Sequence, residues 1–368
     1  MIMVNEPLLA GNEKKYLNEC IETGWISSEG PFVQRFESEM ADYVGRKFAT
    51  SCSSGSAALD IAAAAIGLKE GDEVIMPSFT IISCAQALTR LGVKPVLVDC
   101  DYATFNMCTD DIEALITPNT KAIMAVHMFG LTVDMDPVLA IAKKYNLKVI
   151  EDAAEVIGQE YRGQKCGSFG DVSIFSFYPN KHITTGEGGM VLCDDELFDK
   201  RSKSLRNLCF GSKRFIHEEL GYNYRMTNLQ AALGVAQLEQ IDAFIEKKRW
   251  IGSTYNQLLK DIESINLPVE SKEYCKNIYW VYPITLKDEF VKNGQDIINE
   301  LAENGIGSRP FFYPMHKQPV FIRAGLFVGE AFPNSEKLYK KGFYIPSGLG
   351  LREDQATQVA TVLYDLLA

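Results

Sequence analysis

Short apolar runs alternate with helical patterns over the first two thirds of the chain. The runs are FATSCS (48–53), EVIMP (73–77), PVLVD (95–99), KAIMAV (121–126), LKVIED (147–152), VSIFSF (172–177) and GGMVLC (188–193). Near-continuous apolar runs, in place of in/out alternation, mark strands covered on both faces, as in a mostly parallel sheet sandwiched by helices. Before them, Phe32, Phe36, Met40 and Tyr43 recur at helical spacing after Pro31, a good helix opener. SAALDIAAAAIG (56–67), closed by Gly67, and PVLAIAKKYN (137–146) read as further helices.

The pattern changes near residue 226. MTNLQAALGVAQLEQIDAFIEKKRW (226–250) predicts one long bridging helix, followed by a strand at 277–286, a helix at 294–304 and a last helix after Asp354. No repeat or low-complexity segment interrupts this order. The expected organisation is a large α/β domain over 1–235 with a seven-stranded, mostly parallel sheet, and a small α+β domain over 236–368.

Composition narrows the class without naming the chemistry. The 368 residues carry a net charge of −11, which argues against nonspecific nucleic-acid binding. No apolar stretch approaches the roughly 20 residues that span a bilayer, and the N-terminus lacks a signal-peptide pattern. Nine scattered cysteines without a C-x-x-C pair read as reduced thiols of a cytoplasmic protein. His127, His182, His217 and His316 show no i, i+4 pairing, so no catalytic metal is expected. His127, at a strand end, is expected to line the site without doing chemistry.

Three features fall at strand ends, where open α/β sheets bind ligands. In SCSSGSAAL (51–59) a strand turns on Gly55 and opens a helix at Ser56, whose free N–H groups suit a phosphate. The plain alternative is an N-cap serine beside a turn glycine. Asp152 closes an apolar strand, so its carboxylate must be paired, either with a protonated ring nitrogen or with a structural partner. Lys181 stands between an apolar strand, Pro179 and the glycines 186, 188 and 189. A lysine so placed can have its pKa lowered and bond covalently to an aldehyde; the alternative is a solvated surface group. Jointly the three supply the direct contacts that pyridoxal 5′-phosphate needs. No G-x-x-x-x-G-K-[ST] or strand-following G-x-G-x-x-G competes for the phosphate.

With these features in place, a resemblance becomes specific. The ordered motifs GWISSEGP (24–31), SGSAAL (54–59), EDAAE (151–155), SFYPNKHITTGEGG (176–189) and GYNYRMT (221–227) make the chain similar to the DegT/StrS-type sugar aminotransferases over nearly its whole length. The resemblance implies an aspartate-aminotransferase-like (type I) fold and a homodimer with active sites at the subunit interface. It implies that Lys181 anchors pyridoxal 5′-phosphate and shuttles protons, and that Asp152 pairs with the ring nitrogen. Glu155 would sit near the cofactor's 3-hydroxyl, Gly55, Ser56 and Ser176 would hold the phosphate, and Phe79 would lie against the ring. Asn223 would reach the phosphate in the neighbouring subunit. Counting back five residues from Gly186 puts Lys181, not His182, at the anchor. That register favours aminotransfer over dehydration, in which relatives carry histidine at the anchor.

The implied reaction moves an amino group from L-glutamate to a keto sugar. TGWISSEGPF (23–32), with Trp25 and Ser27, and IGSRPFFYPMH (306–316), with Arg309, Tyr313 and His316, would meet the sugar. The second segment looks most like that of the GDP-perosamine synthase subgroup, which aminates C4 of a GDP-linked 4-keto-6-deoxymannose in cell-surface polysaccharide synthesis. That subgroup often carries glycine where this chain has Pro179. A non-nucleotide keto sugar acid of the octulosonate type is the alternative substrate. A PLP-dependent sugar dehydratase and a non-enzymatic regulatory relative are the alternative functions.

Overall fold

The computed structural model describes residues 1–213, 215–217 and 219–367. Seven strands form the main sheet: β1 (Phe48–Cys52), β2 (Glu73–Pro77), β3 (Lys94–Val98), β4 (Thr120–Val126), β5 (Lys148–Asp152), β6 (Val172–Ser176) and β7 (Gly189–Cys193). Their spatial order is β1-β7-β6-β5-β4-β2-β3. Only β7 runs against its neighbours, so the carboxyl ends of the other six share one edge. Each apolar run thus forms a strand at the expected place.

Alternation along the strands splits the apolar mass into two layers. Ile123, Ala125 and Val149 face one core; Ala122, Met124 and Ile150 face the other. The helix Gly55–Ala65 lies in the second layer with its alanine-rich length almost wholly buried, because small side chains let it sit close to the sheet. Gly189 has a similar reason: a Cβ there would come within 2.3 Å of the Ser54 carbonyl oxygen.

The C-terminal part builds a four-stranded antiparallel sheet in the spatial order Ile265–Asn266, Tyr282–Leu286, Gly342–Ile345, Arg309–Pro310. Helices Ile241–Leu259, Gly294–Glu303 and Glu353–Leu367 bury their apolar stripes on a core that includes Leu259, Ile284, Leu301 and Leu363. The start of the chain joins this part: the Ile2 N–H donates to the Gly305 carbonyl at 2.8 Å, and Ile2 is buried in the same core.

Two local expectations are corrected. The bridging helix is two helices, Asn228–Leu238 and Ile241–Leu259. No proline or glycine breaks it. Instead the Glu239 carboxylate is held by Tyr16, Asn12 and Arg35 from other parts of the fold. The aromatic run at 277–286 is a strand only over Tyr282–Leu286. Before it, Tyr279 takes a left-handed φ of 47°, and its N–H donates to the Asn277 side chain at 2.7 Å. Gly130 makes room for this turn, since a Cβ there would lie 2.5 Å from the Tyr279 nitrogen. The turn carries Trp280 to the edge where the large-sheet strands end.

Candidate active site

A cavity of about 290 Å³ opens at the carboxyl edge of the main sheet. Gly55, Ser56, Asp152, Glu155, Ser176 and Lys181 all line it. Residues spread over more than a hundred positions thus converge because β1, β5 and β6 end at the same edge of the sheet.

One end is a cradle. Ser54 caps the helix, its hydroxyl accepting from the Ala57 N–H at 3.1 Å. The next two N–H groups, of Gly55 and Ser56, are the first of the helix and have no intrahelical partner by geometry. A Cβ on Gly55 would lie 2.7 Å from Ser176 Cβ and 2.9 Å from its Oγ, so glycine brings the helix start against the end of β6. The Ser56 hydroxyl meets that of Ser83 at 2.7 Å. Backbone donors, hydroxyls and a helix N-terminus form an anion site.

At the other end lie the titratable groups. Asp152 is buried; one oxygen accepts from the Ala154 N–H at 3.0 Å and the other from the Cys84 thiol at 3.4 Å. It has no ion pair among the described residues, and burial pushes its carboxyl up, against the Ala154 N–H and Lys181. A buried carboxylate without a cation fits a protonated ring nitrogen. Lys181 Nζ is 3.9 Å from Glu155 Oε1 and 3.7 Å from the centroid of the Trp280 ring. Burial pulls the lysine amine below its ordinary range, while Glu155 and Asp152 oppose that. Burial likewise raises Glu155 to about 7, although its second oxygen accepts from the Phe129 N–H at 2.9 Å. The donor set therefore fits pyridoxal 5′-phosphate: a phosphate cradle, an unpaired carboxylate and a desolvated lysine on one wall.

The other expected residues lie outside this cavity. Phe79 is fully buried behind it, packed against Phe129, Phe311 and Phe312 at ring separations of 5.9–6.0 Å. Asn223 is exposed. Trp25 and Ser27 are also exposed, their carbonyls tied to Asn228. Arg309 lines a second hollow of about 250 Å³ that shares Tyr178, Asn180, Trp280 and Tyr344 with the first. Tyr313 is half-exposed against Tyr339, and His316 is buried beneath Glu336, 2.9 Å from its carboxylate.

His182 turns away from the cavity: its Nε2 faces the Ile278 carbonyl at 3.3 Å, and burial lowers it to about 3. His127, expected to line the site, faces the opposite side of the sheet. Alternation along β4 places it with Glu151, 3.0 Å away, while Asp152 next to Glu151 points into the cavity. Glu151 and Cys166 complete a buried cluster with His127, but the imidazole and the carboxylate are already hydrogen-bonded within the protein. The His127 Nδ1 accepts from the Val133 N–H, and Glu151 accepts from the Gly167 and Phe169 N–H groups. The cluster reads as a structural tie. All nine cysteines are free thiols, and among the described residues no helix is long and apolar enough to cross a membrane.

Sequence reasoning missed Ser83, Tyr344 and above all Trp280, which line the cavity. The signal for Trp280 was its aromatic run, which looked like strand and core.

Known proteins resemble the chain along its whole length. The model of the DegT/DnrJ/EryC1/StrS aminotransferase family matches residues 7–364. The chain is 41% identical over 367 residues to a GDP-perosamine synthase of Caulobacter vibrioides, covering all of this chain and 98% of that one. A GDP-perosamine synthase of Vibrio cholerae is 40% identical over 367 residues, covering 99% and 98%. Among solved structures, the aminotransferase PseC of Helicobacter pylori, involved in the biosynthesis of pseudoaminic acid, superposes with a TM-score of 0.94 at 25% identity, over 100% and 99% of the two chains. DesV of S. venezuelae superposes with a TM-score of 0.88 at 28% identity, over 97% and 94%. The chain belongs to the DegT/DnrJ/EryC1/StrS aminotransferase family and is a PLP-dependent sugar aminotransferase of the aspartate-aminotransferase-like (type I) fold.

Proposed function

We propose that this enzyme moves an amino group from L-glutamate to C4 of GDP-4-keto-6-deoxymannose, giving GDP-perosamine for lipopolysaccharide O-antigen synthesis, as a cytoplasmic homodimer. The observation that carries the substrate is identity of 40–41% to three GDP-perosamine synthases, each over at least 96% of both chains. The Lys181 register and the inward turn of Lys181, with His182 directed away, support aminotransfer over dehydration.

When bound, pyridoxal 5′-phosphate supplies the electron sink for exchanging an amine between two carbons. The chain does the rest. Lys181 would hold the cofactor, and its amine would move a proton to and from the substrate carbon; a depressed pKa keeps the amine available as a base. Asp152 would keep the ring nitrogen protonated. The N–H groups of Gly55 and Ser56 and the Ser176 hydroxyl would hold the phosphate, and Glu155 would serve the 3-hydroxyl. Asn223 is exposed on this subunit and would reach the phosphate bound by a second one. Arg309 makes no ion pair among the described residues and is free to bind the anionic part of the substrate in the side hollow. Trp25, Ser27 and Tyr313 border the sugar from the surface, and His316 supports the Tyr313 loop from below.

A glutamate-dependent amination screen over GDP-, UDP- and dTDP-linked keto sugars and keto-octulosonic acids tests the substrate. Turnover is expected with GDP-4-keto-6-deoxymannose. Amination of only the non-nucleotide acid, or loss of a hydroxyl without amine transfer, contradicts the proposal.

A further inference from the structure

The contact between Trp280 and Lys181 is a built one. The indole Nε1 donates to the carbonyl of Asn180 at 2.7 Å, so the ring is bonded to the loop that carries the lysine it covers. Phe129 stacks behind it with ring centroids 6.1 Å apart. On its main-chain side, the Trp280 carbonyl accepts from Lys248 Nζ at 2.8 Å, and the same amine donates to the Ser347 carbonyl at 2.5 Å. Lys248 is buried on the helix Ile241–Leu259 and makes no ion pair among the described residues. An amine buried that deeply is costly unless it is hydrogen-bonded, and here both bonds fix the turn that presents Trp280.

We propose that Trp280 is the resting surface for the Lys181 amine whenever that amine is not covalently engaged, and that Lys248 is the positioning residue that holds Trp280 there. The inference rests on the reading of Lys181 as the anchor and adds where the amine goes on release. A lysine has a flexible four-carbon stem, and one loose in the cavity would lose its aim. An ammonium over an indole face is attracted by the ring's quadrupole, and Glu155 faces the same amine. Between carboxylate and ring the amine is held at the wall of the cavity. Asp152 and the Cys84 thiol are the other titratable groups that bear on it, with His182 next along the chain.

The test reads the amine itself. Full-length protein stripped of cofactor is pulsed with acetic anhydride across a pH series, and mass spectrometry of the Lys181 peptide gives its titration midpoint. The ring's attraction is weakened without change of shape by growing the protein with fluorinated tryptophan at its three tryptophans. Trp280→Leu removes the ring face, and Trp280→Phe keeps part of it. The midpoint should fall by roughly half a unit or more with fluorination and with Trp280→Leu, and by less with Trp280→Phe. Lys248→Met should lower it too, and fluorination should add little in that background. A fluorinated protein that titrates like the parent, or a midpoint that rises, overturns the proposal. So does a Lys248→Met background in which fluorination keeps its full effect, for Lys248 as the positioning residue. Borohydride fixing of the cofactor to Lys181, after cofactor is added back to the same preparations, tests the anchor separately. Fixing in the parent with no midpoint shift sinks only this inference, whereas no fixing in the parent sinks the anchor as well.

Discussion

Replacing Gly55 by alanine adds one methyl group at the tightest point of the cradle. On propensity alone the change favours a helix by up to about 1 kcal/mol. Against that, the new Cβ would sit 2.7 Å from Ser176 Cβ and 2.9 Å from its Oγ. Ordinary carbon contacts are about 3.5–4.0 Å, so either the helix start or the end of β6 must move. Ser176 is paired with Gly189 on β7, which itself lies against the Ser54 carbonyl, so the shift has no free direction. Overpacking of this kind costs about 1–3 kcal/mol, leaving a net loss of roughly 0–3 kcal/mol. The larger effect falls on the ligand. Misplacing one charge-assisted N–H donor to phosphate loses about 1.5–3 kcal/mol, a roughly 10- to 100-fold weaker Kd. Cofactor titration by absorbance measures the second number, and urea unfolding of cofactor-free protein measures the first. Ser176→Gly removes the obstructing atoms, so the double variant should regain stability with a coupling of about 0.5–2 kcal/mol. An additive cycle, or an unchanged Kd in Gly55→Ala, would refute the close-approach reasoning.

Other outcomes are expected. Glu155 sits at about 7 in the folded protein against an ordinary 4.5, so the native state binds the extra proton between those values. Cofactor-free protein should therefore lose stability as pH rises from 4.5 to 7, and Glu155→Gln should flatten that slope in urea midpoints taken at several pH values; an identical slope would count against it. Arg309→Gln should raise KM for the keto sugar about tenfold with kcat and thermal midpoint nearly unchanged, since Arg309 is exposed and makes no ion pair among the described residues. An unaltered KM would remove Arg309 from the substrate site.

Much of this architecture is visible in the one-dimensional pattern, for identifiable reasons. Strands covered on both faces must be apolar almost throughout, so runs such as EVIMP and VSIFSF announce β2 and β6 within a residue. Gly55, Asp152 and Lys181 stand out because a glycine or a charge at the end of such a run breaks the apolar pattern where ligands bind. What escaped depends on partners distant in sequence. The helix break at Glu239 is decided by Tyr16, Asn12 and Arg35. Trp280 reaches the cavity only because Gly130 and Asn277 admit a left-handed turn at Tyr279. His127 was misplaced because being at a strand end does not say which face a side chain takes; alternation against Glu151 does.

The proposed chemistry turns on Lys181 as the covalent anchor, and borohydride reduction of the purified, cofactor-loaded enzyme, followed by peptide mapping with mass spectrometry, reads that bond itself. A yellow protein is expected, which bleaches on reduction and carries the reduced cofactor on Lys181, with neither change in Lys181→Ala. Cofactor fixed to a different lysine, or a colourless protein left unmodified, would contradict it.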